Sequence, residues 1–351
     1  MNRKAFVLLP AVLFLVISVS GCTSEIPFIG SICIPGFGTC GTTTEYEHDV
    51  MIINTLEAVP STVSTGQQFR LSAWIENKGG ETIPQKDLTQ SVPVKIKLYD
   101  TCEGLFKEIK VTCPGSNTET TATECTITNI LPKQKVAVFW TLVAYDSTKI
   151  PLETSCNLKV YVQYPYRTKS ITSITFVDYV EYQRMLDENK FTAITSYITE
   201  GYGPIKPYLT VEDQQPIPVK NGVASTTTLA FQLKNKGSGF LTGSFEVPSW
   251  GPGTLSTDTP KIPTSAIKIS TNVGTGASEY KIEGLVVTAI QKMEAFQFVG
   301  KESPKQFFTV ATPSNNKIEK TATYYVSTSV DYIYEFRKEV KVTIKPPKIT
   351  A

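Results

Sequence analysis

Phe69-Arg70-Leu71-Ser72-Ala73-Trp74-Ile75-Glu76, followed by Asn77-Lys78-Gly79-Gly80, is the stretch on which the fold reading turns. Phe69, Leu71, Ala73 and Ile75 alternate with Arg70, Ser72, Trp74 and Glu76. Successive side chains of a strand point to opposite faces, so this alternation predicts a strand with one buried face. The Asn-Lys-Gly-Gly that follows supplies turn residues that tolerate positive φ. Outward from this segment the signal recurs. Val94, Ile96 and Leu98 alternate with Lys95, Lys97 and Tyr99 in a predicted strand over residues 92–99. Further strands are expected over 50–56, 106–111, 124–130, 135–143, 158–164 and 170–177. Short strands at this spacing, with turn residues between them, indicate a sandwich or barrel.

Residues 179–191 carry the one helix-like pattern, with Val180, Met185 and Leu186 as a narrow apolar stripe. Gly201, Gly203, Pro204 and Pro207 then break the chain, which places a domain junction there. Strand signals resume over 208–212, 226–234, 243–247, 266–270, 281–285, 294–300, 321–330 and 340–344. The two parts share sequence. Trp74-Ile75-Glu76-Asn77-Lys78-Gly79-Gly80 matches Gln232-Leu233-Lys234-Asn235-Lys236-Gly237-Ser238. Val162-Gln163-Tyr164-Pro165-Tyr166 matches Val330-Asp331-Tyr332-Ile333-Tyr334. Two matches in the same order suggest a duplicated domain. The expected fold is therefore all-β, with two tandem immunoglobulin-like β-sandwich domains (residues 49–178 and 208–347). A short helical linker (179–207) joins them, and a tail (348–351) follows.

The N-terminus reads as an export signal. Arg3 and Lys4 precede an apolar run over residues 5–19, and small residues follow. The run is short of the roughly 20 residues that a membrane span needs. Val19-Ser20-Gly21-Cys22 resembles the lipobox of secreted lipoproteins. That resemblance implies a signal peptide over 1–21, lipid on Cys22 and a tether over 22–48. Burial of lipid contributes about 0.8 kcal/mol per CH₂, so two long chains would hold the protein at the outer face of the cell membrane. Cysteine arithmetic agrees. Seven cysteines are odd for an oxidised protein, and lipid on Cys22 leaves Cys33, Cys40, Cys102, Cys113, Cys125 and Cys156 to pair.

Charged residues make up 19% of the 351, and the formal net charge is +2, which gives no electrostatic case for nucleic acid. Thr, Val, Ile, Tyr and Phe are abundant, as suits pleated, half-buried surfaces.

Val59-Pro60-Ser61-Thr62-Val63-Ser64-Thr65-Gly66-Gln67-Gln68-Phe69, running on through Asn77-Lys78-Gly79-Gly80, resembles the CARDB-type domain. This is a cell-adhesion-related, immunoglobulin-like module of prokaryotic surface proteins, and the overall layout resembles small archaeal surface lipoproteins with such domains. Asn129-Ile130-Leu131-Pro132, followed by residues 136–140, is similar to a later turn and strand of that family, with Lys133 at a usual glycine position. The resemblance covers about residues 50–177 and is weaker over 208–345. It implies extracellular placement and interaction rather than chemistry. It also implies a bridge between Cys102 and Cys156, because the third and sixth strands of such a sandwich are antiparallel neighbours. Cys113–Cys125 would then staple a hairpin loop, and Cys33–Cys40 would lie in the tether.

Catalytic and metal signals are sparse. The single histidine, His48, lies in the tether, which argues against a histidine zinc site or a Ser-His-Asp triad. S-x-x-K occurs at Ser265, Ser278 and Ser314, in strand, turn and loop patterns rather than on the helix that Ser-Lys catalysis needs. Asp178, Glu181, Asp187 and Glu188 cluster near the helix, but Arg184 and Lys190 among them point to a solvated, ion-paired face. Aromatics are the best binding signal. Tyr164 and Tyr166 are candidate contacts, and Trp250, in a Pro-Gly loop, is the expected exposed anchor. The expected function is a non-catalytic surface lipoprotein, with no cofactor and no metal, for adhesion, envelope structure or binding of a surface protein or glycan. The alternatives are a transporter's substrate-binding lipoprotein and a carboxylate-dependent glycan-active enzyme.

Overall fold

Strand follows strand along the chain in the computed structural model, and the sheets they form are built on two of unusual length. The structure describes residues 47–347, apart from 87, 89–91, 115–117, 221, 224, 244–260, 264–266, 273–285, 290–294 and 312–317. The lipobox, Cys22, Cys33, Cys40 and Trp250 therefore lie outside the described residues.

The first half contains β1 (Met51–Val59), β2 (Thr62–Ser64), β3 (Gln68–Asn77), β4 (Val94–Asp100), β5 (Phe106–Thr112), β6 (Thr118–Thr121), β7 (Glu124–Ile127), β8 (Lys135–Ala144) and β9 (Thr154–Asp178). Helix α1 (Tyr179–Asp187) follows, then β10 (Ile198–Glu200). The second half contains β11 (Ile205–Val211), β12 (Ile217–Val219), β13 (Thr226–Asn235), β14 (Phe240–Gly243), β15 (Lys261–Pro263) and β16 (Ile267–Asn272). It closes with β17 (Val286–Ala289), β18 (Ala295–Gln297), β19 (Gln306–Ala311) and β20 (Thr321–Lys345).

The deciding stretch forms β3 with the expected faces: Phe69, Leu71, Ala73 and Ile75 are buried, whereas Trp74 is exposed. β3 is central in the four-stranded sheet β1-β3-β8-β5, and β13 is its counterpart in β11-β13-β19-β17. Each sheet is antiparallel throughout. β19 has no counterpart in the sequence reading, although it is central to its sheet.

The strands predicted over 158–164 and 170–177 are one strand, β9, of 25 residues. Those predicted over 321–330 and 340–344 are likewise one strand, β20, of 25 residues. β9 and β20 pair antiparallel without interruption from Thr321↔Val177 to Ile344↔Thr154. At 3.3 Å per residue this ribbon is roughly 80 Å long. In the first half it carries β4 beside β9 and β2, in parallel, beside β20. In the second half it carries β16 beside β20 and β12, in parallel, beside β9. Each half thus takes a strand from the other. The fold is all-β, two sandwiches sharing one ribbon, with a continuous hydrophobic core. Trp140, Leu71, Val160 and Val162 are buried in the first half, and Leu209, Phe231, Phe296 and Phe176 in the second.

Helix α1 starts on the side chain of Asp178, which accepts from the amides of Val180 and Glu181. It ends at Asp187 rather than at residue 191, and Asn189 turns to φ +54° just beyond. Arg184 pairs with both Glu181 and Glu188, and no helix residue is buried, so these two carboxylates lie on a solvated, ion-paired face, whereas Asp178 is buried at the cap. Glu181 and Glu188 are held below the usual carboxylate range by hydrogen-bonded cations, Arg184 for the first and Lys190 and Arg184 for the second.

Candidate binding surface

Cys102 is bonded to Cys156, with Cα atoms 6.1 Å apart. The end of β4 lies beside β9 in this antiparallel pair, through Asp100↔Lys159, which brings the two cysteines within bridging reach. Cys113 is bonded to Cys125, with Cα atoms 5.8 Å apart.

Tyr164 and Tyr166, expected as binding aromatics, are buried (0% and 3% exposed), which corrects that expectation. The pleat explains it. Leu158, Val160, Val162, Tyr164 and Tyr166 share the inward face of β9. Their rings meet those of the other long strand edge-on: Tyr164 on Tyr334 at 5.9 Å and Tyr166 on Tyr332 at 6.2 Å. Burial pushes the hydroxyls of Tyr164 and Tyr332 well above their ordinary range. These tyrosines are the core of the crossing between the halves.

The opposite face of the same strands presents a different set. Tyr161 sits between Lys97 on β4 and Arg337 on β20 in the register of the sheet. Tyr99, at the end of β4, lies 5.5 Å from the Tyr161 ring. The Arg337 guanidinium lies 5.4 Å from the Tyr99 ring and 5.0 Å from the Phe240 ring on β14. Phe240 is 53% exposed and Tyr99 37%. The row thus crosses four adjacent strands, β14, β20, β9 and β4. Arg337 also donates to the carboxylate of Glu335, which lies buried beneath it. Burial raises the Glu335 carboxyl despite that cation. Gln163, beside Glu335 in the ladder, donates to the Thr242 hydroxyl at 2.9 Å.

This row offers flat apolar faces with a guanidinium between them. Such faces stack on planar or sugar surfaces, while Arg supplies fixed N–H donors. The outward position of Tyr99 and Lys97 is readable from the alternation of β4. Phe240 is not, because its strand is short and joins the row only through the long-range pair Phe240↔Glu335.

An open cleft of about 350 Å³ lies near the Cys113–Cys125 bridge, with Pro114, Ile127, Val136 and Phe139 and the polar Asn129 and Gln134 among its lining residues. Among the described residues no group of three or more His, Cys, Asp or Glu side chains could hold a metal ion.

No family model matches the chain, and no curated protein matches it. Among solved structures it is similar to the collagen adhesin from S. aureus, at 10% identity over 85% of this chain and 93% of that one, with a TM-score of 0.12. It is also similar to the collagen binding domain of Erysipelothrix rhusiopathiae surface protein RspB, at 10% identity over 85% and 96%, with a TM-score of 0.10. Likeness at these scores carries no argument about fold or function.

Proposed function

We propose that the chain is a non-catalytic, lipid-anchored surface protein that displays a two-sandwich body for binding a protein or glycan of the cell surface or envelope. The row Phe240, Arg337, Tyr161 and Tyr99 carries this reading. Exposed aromatics flanking an arginine are costly to leave in water and are the residue types that dominate binding energy at interfaces. The shared ribbon supports it too, since a surface crossing β14, β20, β9 and β4 is held on paired strands rather than on loops.

The test has two arms. Metabolic labelling with a lipid precursor should label the wild type and lose the label in Cys22→Ala. The purified protein on beads should capture an envelope component, and the pair Phe240→Ser and Arg337→Ala should reduce that capture at least tenfold, the equivalent of about 1.4 kcal/mol. Leu186→Ser, on the exposed helix, serves as the control. Equal capture by the row variant and the control would overturn the site.

A further inference from the structure

The sequence repeat and the strand register coincide at the middle of the ribbon. The repeat that aligns Val162 with Val330 also aligns Pro165 with Ile333. Pro165 and Ile333 are themselves register partners. Matched residues that face each other in an antiparallel ladder lie on a two-fold axis.

Carried outward, the match holds. β4 joins the ribbon through Ile96↔Val162, and β16 joins it through Ile267↔Val330. β2 pairs in parallel with β20, and β12 pairs in parallel with β9. Asn77 and Asn235 make the same turn: each side-chain oxygen accepts from the glycine amide two residues on, at 2.9 and 3.0 Å. Each side-chain NH₂ donates to the carbonyl four residues on, at 2.8 and 3.0 Å. Ile53 faces Ile75 across β1 and β3 as Pro207 faces Leu233 across β11 and β13. Lys338 donates to the Ile53 carbonyl at 3.1 Å, and its repeat counterpart Ser170 donates to the Pro207 carbonyl at 2.7 Å.

We propose that the chain is a fused pair of duplicated units that have exchanged their terminal strands. The exchange, rather than the connection through residues 188–204, holds the halves together. The partner surface of each unit is the other unit: 170–178 of β9 complete the second sandwich, and 335–345 of β20 complete the first. Further contacts cross the same junction. The Ser238 amide and hydroxyl donate to Asp49 at 3.1 and 2.5 Å, and the Tyr202 hydroxyl donates to the Asp49 carbonyl at 2.9 Å. All seven cysteines precede residue 157, so no disulfide can link the halves.

The test cuts the folded protein. A protease sequence is inserted between Asn189 and Lys190, both exposed. A second version carries it between Thr192 and Ala193, in case the first disturbs folding. After cleavage of the full chain, the two fragments should elute together in 1 M salt at the position of the uncut protein. Hydrogen exchange over 171–177 and 336–344 should stay within about twofold of the uncut rate, since those amides are protected by the other fragment. Separation of the fragments would overturn the proposal. So would co-elution with rapid exchange over those two segments, which is docking without exchange.

Discussion

On one side of the ribbon's midpoint the edge carbonyls of β1 are met by an ammonium, Lys338, at Ile53 and Asn54. On the other side those of β11 are met by hydroxyls, Ser170 at Pro207 and Thr172 at Leu209. The backbone poses the same question in both places, because an edge strand laid against the ribbon leaves carbonyls that no neighbouring strand pairs. The side chains answer it differently. The same divergence marks the crossing. Arg167 pairs with Asp331, two side chains that are only 11% and 4% exposed. The repeat places Gln163 where Asp331 stands, and its register partner is Glu335, whose carboxyl burial pushes up. Position and register are shared between the halves, whereas charge is not.

The sharpest way to break that comparison is to truncate the matched pair. Asp331→Ala leaves the Arg167 guanidinium buried and short of its main counter-charge, and should cost about 3–5 kcal/mol. Gln163→Ala removes a neutral hydrogen bond and should cost about 1 kcal/mol. Urea denaturation of the two variants measures both, and equal losses would mean the two sides of the crossing are energetically alike.

A smaller effect separates the two edge devices. Ser170→Ala leaves the Pro207 carbonyl and the Thr328 hydroxyl without this fully enclosed partner, and should cost about 1–3 kcal/mol. Lys338→Met acts at a half-buried site that water can partly serve, and should cost about 1 kcal/mol. Thermal melts of the two should rank in that order.

The smallest effect is a slope with pH. Because burial raises the Glu335 carboxyl above its ordinary 4.5, the folded state holds that proton to higher pH than the unfolded chain. Its contribution is therefore fully present below about pH 4.5 and is lost as pH rises through the raised value. Glu335→Gln should flatten this part of the stability profile. Asp49, also raised by burial, acts in the same direction and remains in the variant as a residual slope. An unchanged profile in Glu335→Gln would assign the whole slope to other groups.

Much of the sheet was legible because β3, β4 and β8 each bury one face and alternate cleanly. The length of β9 was not. Pro165 reads as a strand breaker, since it has no amide hydrogen to donate. In the structure β4 covers β9 only as far as Gln163, and β10 covers it only from Ser170 onward, so Pro165 has a strand on one side alone. The Arg167 amide, two residues on, donates at 2.6 Å to the Gln85 side chain, so the nitrogen of Pro165 turns to that same open side. The buried run Thr168, Ser170 and Thr172 also hid the continuity, because hydroxyls on a core face do not register as apolar alternation. The aromatic row depends on which strands become neighbours, and only Tyr99 and Lys97 announce their outward side locally.

At the crossing of β9 and β20 loops are pressed close to the ribbon, and Gly203 and Gly237 are two of the four glycines that mark how close. A Cβ on Gly203, at φ +144°, would collide with the Thr168 hydroxyl, and one on Gly237 with the Asp49 carboxylate and the Tyr334 hydroxyl. In a library of random variants selected for folding, even alanine should be missing at these two places, while the row above tolerates exchange. These turns at the crossing therefore leave no room for added bulk.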